Sequence, residues 1–135
     1  MATDVLVSNE ISPEMIRAGE ALLGQLDKAK WRVSAALWFL DADSRRWRLL
    51  LASPRVGSGG PKKAYFDVLD ALAKLPKDAP RIALKDVTVL DPKNSTVQLM
   101  KSAVSTPAGA ISGIRFSGNT INGHFIEDAY IYRLA

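Results

Sequence analysis

The polar residues of the segment 114–135 form the densest group in this sequence whose side chains could do chemistry. The single histidine of the chain, His124, is followed there by Glu127 and Asp128. General acid–base catalysis needs a histidine and a carboxylate within hydrogen-bond reach of each other. On a β-strand, His124 and Asp128 share one face but lie about 13 Å apart along the backbone. We therefore predict a surface or structural histidine and no catalytic residue.

Charged residues of both signs occur in the same segment, which is predicted to contain a central strand. Charges in a central strand are costly unless they are paired and hydrogen-bonded. Two interpretations follow: a structural network, such as Arg115 with Glu127 or Asp128, or a set of side chains that line a site. The structural network is the favoured interpretation. The candidate polar cluster consists of Arg115, Asn122, His124, Glu127 and Asp128.

A second candidate site is the glycine-rich loop 57–63, which reads GSGGPKK. Its glycine spacing matches neither of the common phosphate-binding signatures. Lys62 and Lys63 nevertheless fall in the first turn of a predicted helix, where the helix dipole disfavours cations. An anion bound by the backbone N–H groups of Gly59 and Gly60 would offset that cost, and exposure of the lysines to water would also reduce it. Our alternative hypothesis is therefore an anion- or nucleotide-binding protein, with an enzymatic role left open.

The third candidate is a protein interface on a predicted hairpin, residues 33–52, which holds two of the three tryptophans. A register with Asp41 opposite Arg45 places Phe39 opposite Trp47 on the core side of the sheet. Trp38 and Arg48 then lie opposite each other on the other, partly covered face. Because Trp and Arg are enriched at interface hot spots, this face is the primary candidate for binding a protein partner or a second copy. The interface set is Trp38, Arg46 and Arg48.

Composition narrows the class of protein. The 135 residues are 47% hydrophobic and 24% charged, as in one globular domain, and they include no cysteine that could form disulfides or bind metal. The 18 basic and 14 acidic residues are interspersed, so nucleic-acid binding is only a second alternative to the protein interface. No secretion signal and no membrane-spanning apolar run is evident. We expect a cytoplasmic protein without membrane contact, bound metal or cofactor.

Two helices are predicted to position the candidate sites. Ser12 and Pro13 are typical of an N-cap and a first helical residue, and an apolar stripe follows them. Gly19 lies on that stripe, which predicts close contact between the helix backbone and a sheet. The second helix is predicted to begin with Gly60 as N-cap and Pro61 as first residue. Its predicted buried stripe consists of Tyr65, Val68, Leu69, Leu72 and Leu75.

Alternating apolar residues predict a third strand over residues 82–90, and a third helix is expected from about Ser95. Two turn signals compete in the last hairpin, and we favour a reversal at residues 118–119 with a bulge or widened loop at 122–123. The element order αββαβαββ predicts one α+β domain over residues 1–135. We expect a mainly antiparallel five-stranded sheet with two or three helices packed largely on one face. The resulting primary hypothesis is a non-enzymatic binding or accessory domain that acts through the sheet interface.

Overall fold

The fold is a mainly antiparallel five-stranded sheet with helices on both faces. The structure is a computed structural model and describes residues 10–135. The portion of the domain prediction that falls on residues 1–9 lies outside the described residues. Within the described part, the element order is the predicted αββαβαββ. The helices are α1 (Pro13–Lys28), α2 (Pro54–Ala73) and α3 (Ser95–Ala103); the strands are β1 (Ala35–Asp41), β2 (Arg46–Ala52), β3 (Val87–Leu90), β4 (Ile114–Ile121) and β5 (His124–Leu134).

The five strands lie in the order β3-β2-β1-β5-β4. All neighbouring strands are antiparallel except β2 and β3, which run parallel. The parallel pair arises because α2 carries the chain back between β2 and β3, and parallel neighbours require such a crossover. Strand β5 pairs with β1 on one side and β4 on the other, so the prediction of a central last strand is confirmed.

The two faces of the sheet are covered unequally. Side chains of α1 and α2 pack on one face, against a cluster that includes Trp38, Leu49 and Tyr132. On the other face, Val97 and Met100 of the shorter helix α3 pack on small and aliphatic residues of the central strands. The prediction that the helices lie largely on one face is confirmed, because the two longer helices share it.

Helix α1 begins and packs as its sequence predicts. The Ser12 hydroxyl accepts a hydrogen bond from the Met15 N–H at 3.1 Å, and Pro13 is the first helical residue. A Cβ atom added to Gly19 would lie 2.3 Å from the Tyr132 hydroxyl oxygen. The predicted close contact at Gly19 is therefore confirmed, and its partner is a tyrosine side chain of β5.

Helix α2 begins earlier than predicted. Ser53 is its N-cap and accepts a hydrogen bond from the Arg55 N–H at 3.2 Å. The helix is interrupted at Gly60, whose φ of 83° and ψ of 161° are not helical, and it continues from Pro61. The predicted start at Pro61 thus marks a second segment, and the prediction of a loop just before it is wrong. Ser53 and the proline after it form a start signal of the same kind as the one that begins α1.

The register of the first hairpin differs by one residue from the prediction. Asp41 pairs with Arg46, not with Arg45, so Trp38 lies opposite Leu49. The turn is longer because Arg45 adopts a left-handed conformation with φ 59° and donates its N–H to the Asp41 carbonyl at 2.8 Å. A one-residue shift exchanges the two faces of a strand, so Trp38 points to the face that α1 and α2 cover.

The last hairpin turns at Asn122 and Gly123, and the prediction of a turn at residues 118–119 is wrong. Asn122 and Gly123 have φ values of 49° and 82°, the consecutive positive values that a two-residue hairpin turn with matching twist requires. Gly118 instead lies inside β4 with φ 62°.

The third strand is shorter than predicted, because a 3-10 turn, Leu84–Asp86, occupies the first part of the expected range 82–90. Helix α3 begins at Ser95, as predicted. Its N-cap is Asn94, whose side-chain oxygen accepts hydrogen bonds from the backbone N–H groups of Thr96 and Val97.

Candidate functional site

The predicted interface residue Trp38 is buried, with only 3% of its surface exposed. Its indole Nε1 donates hydrogen bonds to the Tyr132 hydroxyl and to the Met15 carbonyl, each at 3.1 Å. The Tyr132 hydroxyl in turn donates to the Ile16 carbonyl at 2.6 Å, and burial raises the pKa of Tyr132. Trp38 therefore joins α1 to the sheet, and the prediction that it lies on an uncovered face is wrong.

The two arginines of the predicted interface connect β2 to the segment around β3. The exposed Arg46 forms an ion pair with Asp86, with Nη2 and Oδ1 3.1 Å apart. The half-buried Arg48 donates from Nε to the Thr88 hydroxyl at 2.7 Å and from Nη2 to the Lys85 carbonyl at 3.3 Å. The observed register also separates Arg48 from Trp38, because the two side chains lie on opposite faces of the sheet.

The predicted anion-binding residues lie around the interruption of α2. Gly59 and Gly60 are the last residues before the helix resumes, and Lys63 pairs with Asp67 one turn further on, Nζ to Oδ1 at 2.9 Å. Burial by itself would raise the pKa of Asp67, but hydrogen bonds from Lys63 and from the Trp31 indole leave it below the ordinary value.

The first glycine of this segment has a packing role. A Cβ atom added to Gly57 would lie 2.6 Å from a carboxylate oxygen of Asp91. A second anion would be repelled by that carboxylate, so Asp91 disfavours an anion beside Gly57. The anion site at Gly59, Gly60, Lys62 and Lys63 stays a prediction.

The polar cluster of the last hairpin contains paired charges. Arg115 donates two hydrogen bonds to Asp128, from Nε at 2.6 Å and from Nη2 at 2.5 Å, and these bonds raise the pKa of Arg115. Glu127 pairs with Arg45 of the first hairpin. Asn122 forms the turn, and His124 is exposed directly after it. The pairing of Arg115 with Asp128 is one of the two pairings that the structural interpretation named.

Sequence reasoning missed a second structural pair at the carboxyl end of β5. Arg133, whose side chain is 1% exposed, donates to both carboxylate oxygens of Asp27 at 2.9 and 2.8 Å. It also donates to the carbonyls of Ala110 and Val33. One arginine thus holds the end of α1 and two loops on the last strand. The contact joins residues 106 positions apart, and no local pattern announces it.

An exposed apolar stripe on α2 was also missed. Phe66 is 58% exposed and Leu69 is 47% exposed, although Leu69 was predicted to be buried. Lys62 and Ala73 are exposed too, so the four residues follow each other at steps of four, three and four along the helix. The signal was present in the sequence, because Phe66 lies about 200° around the helix from Val68 and cannot share its buried side. We call Lys62, Phe66, Leu69 and Ala73 the α2 stripe.

A shallow groove of about 270 Å³ runs beside the α2 stripe. On the far side of the groove is Leu84 of the 3-10 turn before β3. The residues that line it are Lys62, Tyr65, Phe66, Leu69 and Leu84. The groove is therefore apolar, with a single cation at its rim.

A larger cavity of about 430 Å³ lies between the start of α1 and the first hairpin, and charged side chains border it. Its arginines are engaged in the fold. Arg81 donates to the carbonyls of Leu72, in the last turn of α2, and of Leu75, just beyond it, while Arg45 and Arg46 are in the ion pairs described above. These bonds restrict what the three guanidinium groups can offer a ligand.

Over residues 10–135, no three His, Asp or Glu side chains converge as a metal ion would require. None of the helices described above is long and apolar enough to span a bilayer. The chain matches no known protein family, and neither a curated protein nor a solved structure was found to be significantly similar.

Proposed function

We propose that the chain is a non-enzymatic binding or accessory domain that acts through a protein interface on helix α2. The observation that carries the proposal is the exposure of Phe66 and Leu69, neighbours on one side of the helix. Single exposed apolar residues are common on protein surfaces. Two large ones beside an apolar groove form a contiguous patch, and such patches mark interaction sites.

The α2 stripe is presented on a helix that is well anchored. The Trp31 indole donates to Asp67 at 3.0 Å, and the Tyr65 hydroxyl accepts from the Val89 N–H at 3.4 Å. Arg81 satisfies carbonyls at the carboxyl end of the helix, at 2.6 Å from the Leu72 oxygen. An interface on a rigid element loses little side-chain and backbone entropy on binding, which supports a role in recognition.

The spacing of the α2 stripe defines the chemistry of the partner. Apolar residues at steps of three and four are typical of helix-to-helix recognition, in which an amphipathic helix packs along a groove. Lys62 at the rim favours a partner with an acidic residue beside its apolar side chains. The partner is therefore expected to be an amphipathic helix that carries acids on one flank.

Site-specific photocrosslinking tests the proposal. The photoreactive residue p-benzoylphenylalanine is placed at Phe66, or at Phe125 as a matched control, in the full chain inside the producing cells. Phe125 is 63% exposed but lies on β5, away from α2. We expect crosslinked protein adducts from position 66 and far fewer from position 125. An equal yield at both positions, or none at position 66, would contradict an interface on α2.

A further inference from the structure

We infer that the partner on α2 is a second copy of this chain, whose own α2 packs antiparallel on the first about a two-fold axis. The inference rests on the proposed function and names the occupant of the α2 stripe. Twofold symmetric interfaces use the same surface on both copies, so the surface must be complementary to itself. Both the apolar residues and the charges of α2 meet this requirement.

The apolar residues match when the axis passes beside the midpoint of the α2 stripe, between Asp67 and Val68. Phe66 of each copy then lies opposite Leu69 of the other, so the same large contact forms twice. Lys62 of each copy lies opposite Ala73 of the other, and the small alanine leaves room for the aliphatic part of the lysine side chain. Each copy also brings its groove beside the other's Phe66, which would remove both exposed aromatic rings from water.

The charges favour the antiparallel arrangement over the parallel one. Lys63 and Asp70 are seven residues apart and thus lie on the same flank of the α2 stripe. In the antiparallel pair, Asp70 of one copy comes within about 3 Å, along the helix axis, of Lys63 of the other. In the parallel pair, Lys62 and Lys63 of both copies would gather at one end and repel each other.

The same charges already form ion pairs within each copy, and self-association brings the pairs of the two copies together. Lys63 pairs with Asp67, and Asp70 pairs with Lys74, each across one helical turn. Antiparallel packing places these two pairs alongside each other, and Lys63 and Asp70 are the members that lie nearest the α2 stripe. Exposed pairs of this kind contribute little affinity but select orientation, which is the role that we assign to them.

Disulfide trapping tests the geometry, and the lack of native cysteine makes the experiment direct. We compare Lys62→Cys alone, Ala73→Cys alone and an equal mixture of the two proteins after mild oxidation. Antiparallel packing brings Cys at position 62 against position 73 of the other copy, whereas like positions are separated by about 16 Å. We expect a crosslinked dimer in the mixture only. Crosslinking of either protein alone, or the absence of a crosslinked dimer from the mixture, would overturn the antiparallel dimer.

Light scattering on the purified full chain provides the second arm. We expect a mass twice the monomer's 14.7 kDa, reduced to the monomer by Phe66→Glu with Leu69→Glu. The Phe125→Glu control should remain a dimer, and circular dichroism verifies that each variant is folded. A wild-type monomer at every concentration would overturn self-association. If position 66 then still photocrosslinks to other proteins, the interface on α2 stands and only its occupant is wrong.

Discussion

Strand β5 takes part in two arginine–aspartate pairs that differ in the exposure of the arginine. At the carboxyl end of the strand, Arg133 binds Asp27 with a side chain that is only 1% exposed. Near the middle of the strand, Asp128 accepts two hydrogen bonds from Arg115 of β4, which is 48% exposed. Each arginine donates to both oxygens of its carboxylate, so the two pairs have the same number of bonds but differ in how much water surrounds the guanidinium group.

The comparison teaches that burial, and not the pairing itself, determines how much a charged contact matters to this fold. A buried arginine that loses its partner is left without water to replace it, whereas an exposed one is solvated at once. The carboxyl end of β5 also carries Tyr132, which is packed on Gly19 of α1. We therefore expect the surroundings of the Arg133–Asp27 pair to be sensitive to substitution and the Arg115–Asp128 pair to be tolerant.

The largest effect is expected from Asp27→Ala. Arg133 would keep only its contacts with the carbonyls of Val33 and Ala110, which leaves a buried charge uncompensated. We expect the free energy of unfolding in urea to fall by about 3 kcal/mol, the low end for breaking a buried pair. Asp128→Ala is the matched control, and a similar loss of unfolding free energy in both variants would remove the contrast between the two pairs.

Gly19→Ala should cost about 2 kcal/mol, as overpacking of a core does. The new Cβ atom would lie 2.3 Å from the Tyr132 hydroxyl oxygen, which is held by Trp38 and Ile16 and has little freedom to move. Gly24→Ala in the same helix is the control, since no atom lies within 4 Å of its added Cβ. The Gly24→Ala substitution should stabilise the protein by about 0.5–1 kcal/mol, because alanine favours a helix interior more than glycine does. Thermal or urea unfolding that ranks the two variants in the reverse order would contradict the packing.

Tyr132 should make the stability depend on pH in the alkaline range. Because burial raises the pKa of Tyr132 in the folded state, its contribution is complete below the unfolded value of about 10 and is lost as the pH rises beyond it. Tyr132→Phe should cost about 1 kcal/mol at pH 8, where a hydrogen bond is lost. Above pH 10 its unfolding free energy should fall less steeply than that of the wild type. Parallel slopes for the two proteins would show that Tyr132 is solvated.

The smallest effect is expected from Arg115→Ala. An exposed ion pair contributes about 0–1 kcal/mol even with two good hydrogen bonds. We expect a loss of about 0.5 kcal/mol in urea unfolding at low salt, and less at high salt because the charges are screened. A loss as large as that of Asp27→Ala would mean that the exposed Arg115 contributes as much to stability as the buried Arg133.

Local signals in the sequence predicted much of the fold. Ser12 with Pro13 predicted the start of α1 correctly, and the turn-rich residues before Ser95 indicated the start of α3. The same kind of signal at Ser53 was overlooked because a glycine-rich stretch followed it. Asn122 with Gly123 was a strong hairpin signal and was given second place to a weaker one. These errors concern the weighing of local patterns, which the sequence did contain.

The candidate interface shows where local signals end. The faces of β1 depended on the length of one turn, and the left-handed Arg45 lengthened that turn by a residue. Trp38 was therefore assigned to the uncovered face and is in fact buried beneath α1. The large apolar residues exposed on α2 are Phe66 and Leu69, on the side opposite its buried stripe.

The sequence by itself determined the order of the elements, the cap of α1 and the α+β class, because periodicity and capping act over a few neighbouring residues. Tertiary structure alone decided the strand register, the burial of Trp38 and the pairing of Arg133 with Asp27. Those features depend on contacts between residues far apart in the chain and on which element covers each face. For the same reason, only the folded arrangement shows that the outer side of α2 lies uncovered by the rest of residues 10–135.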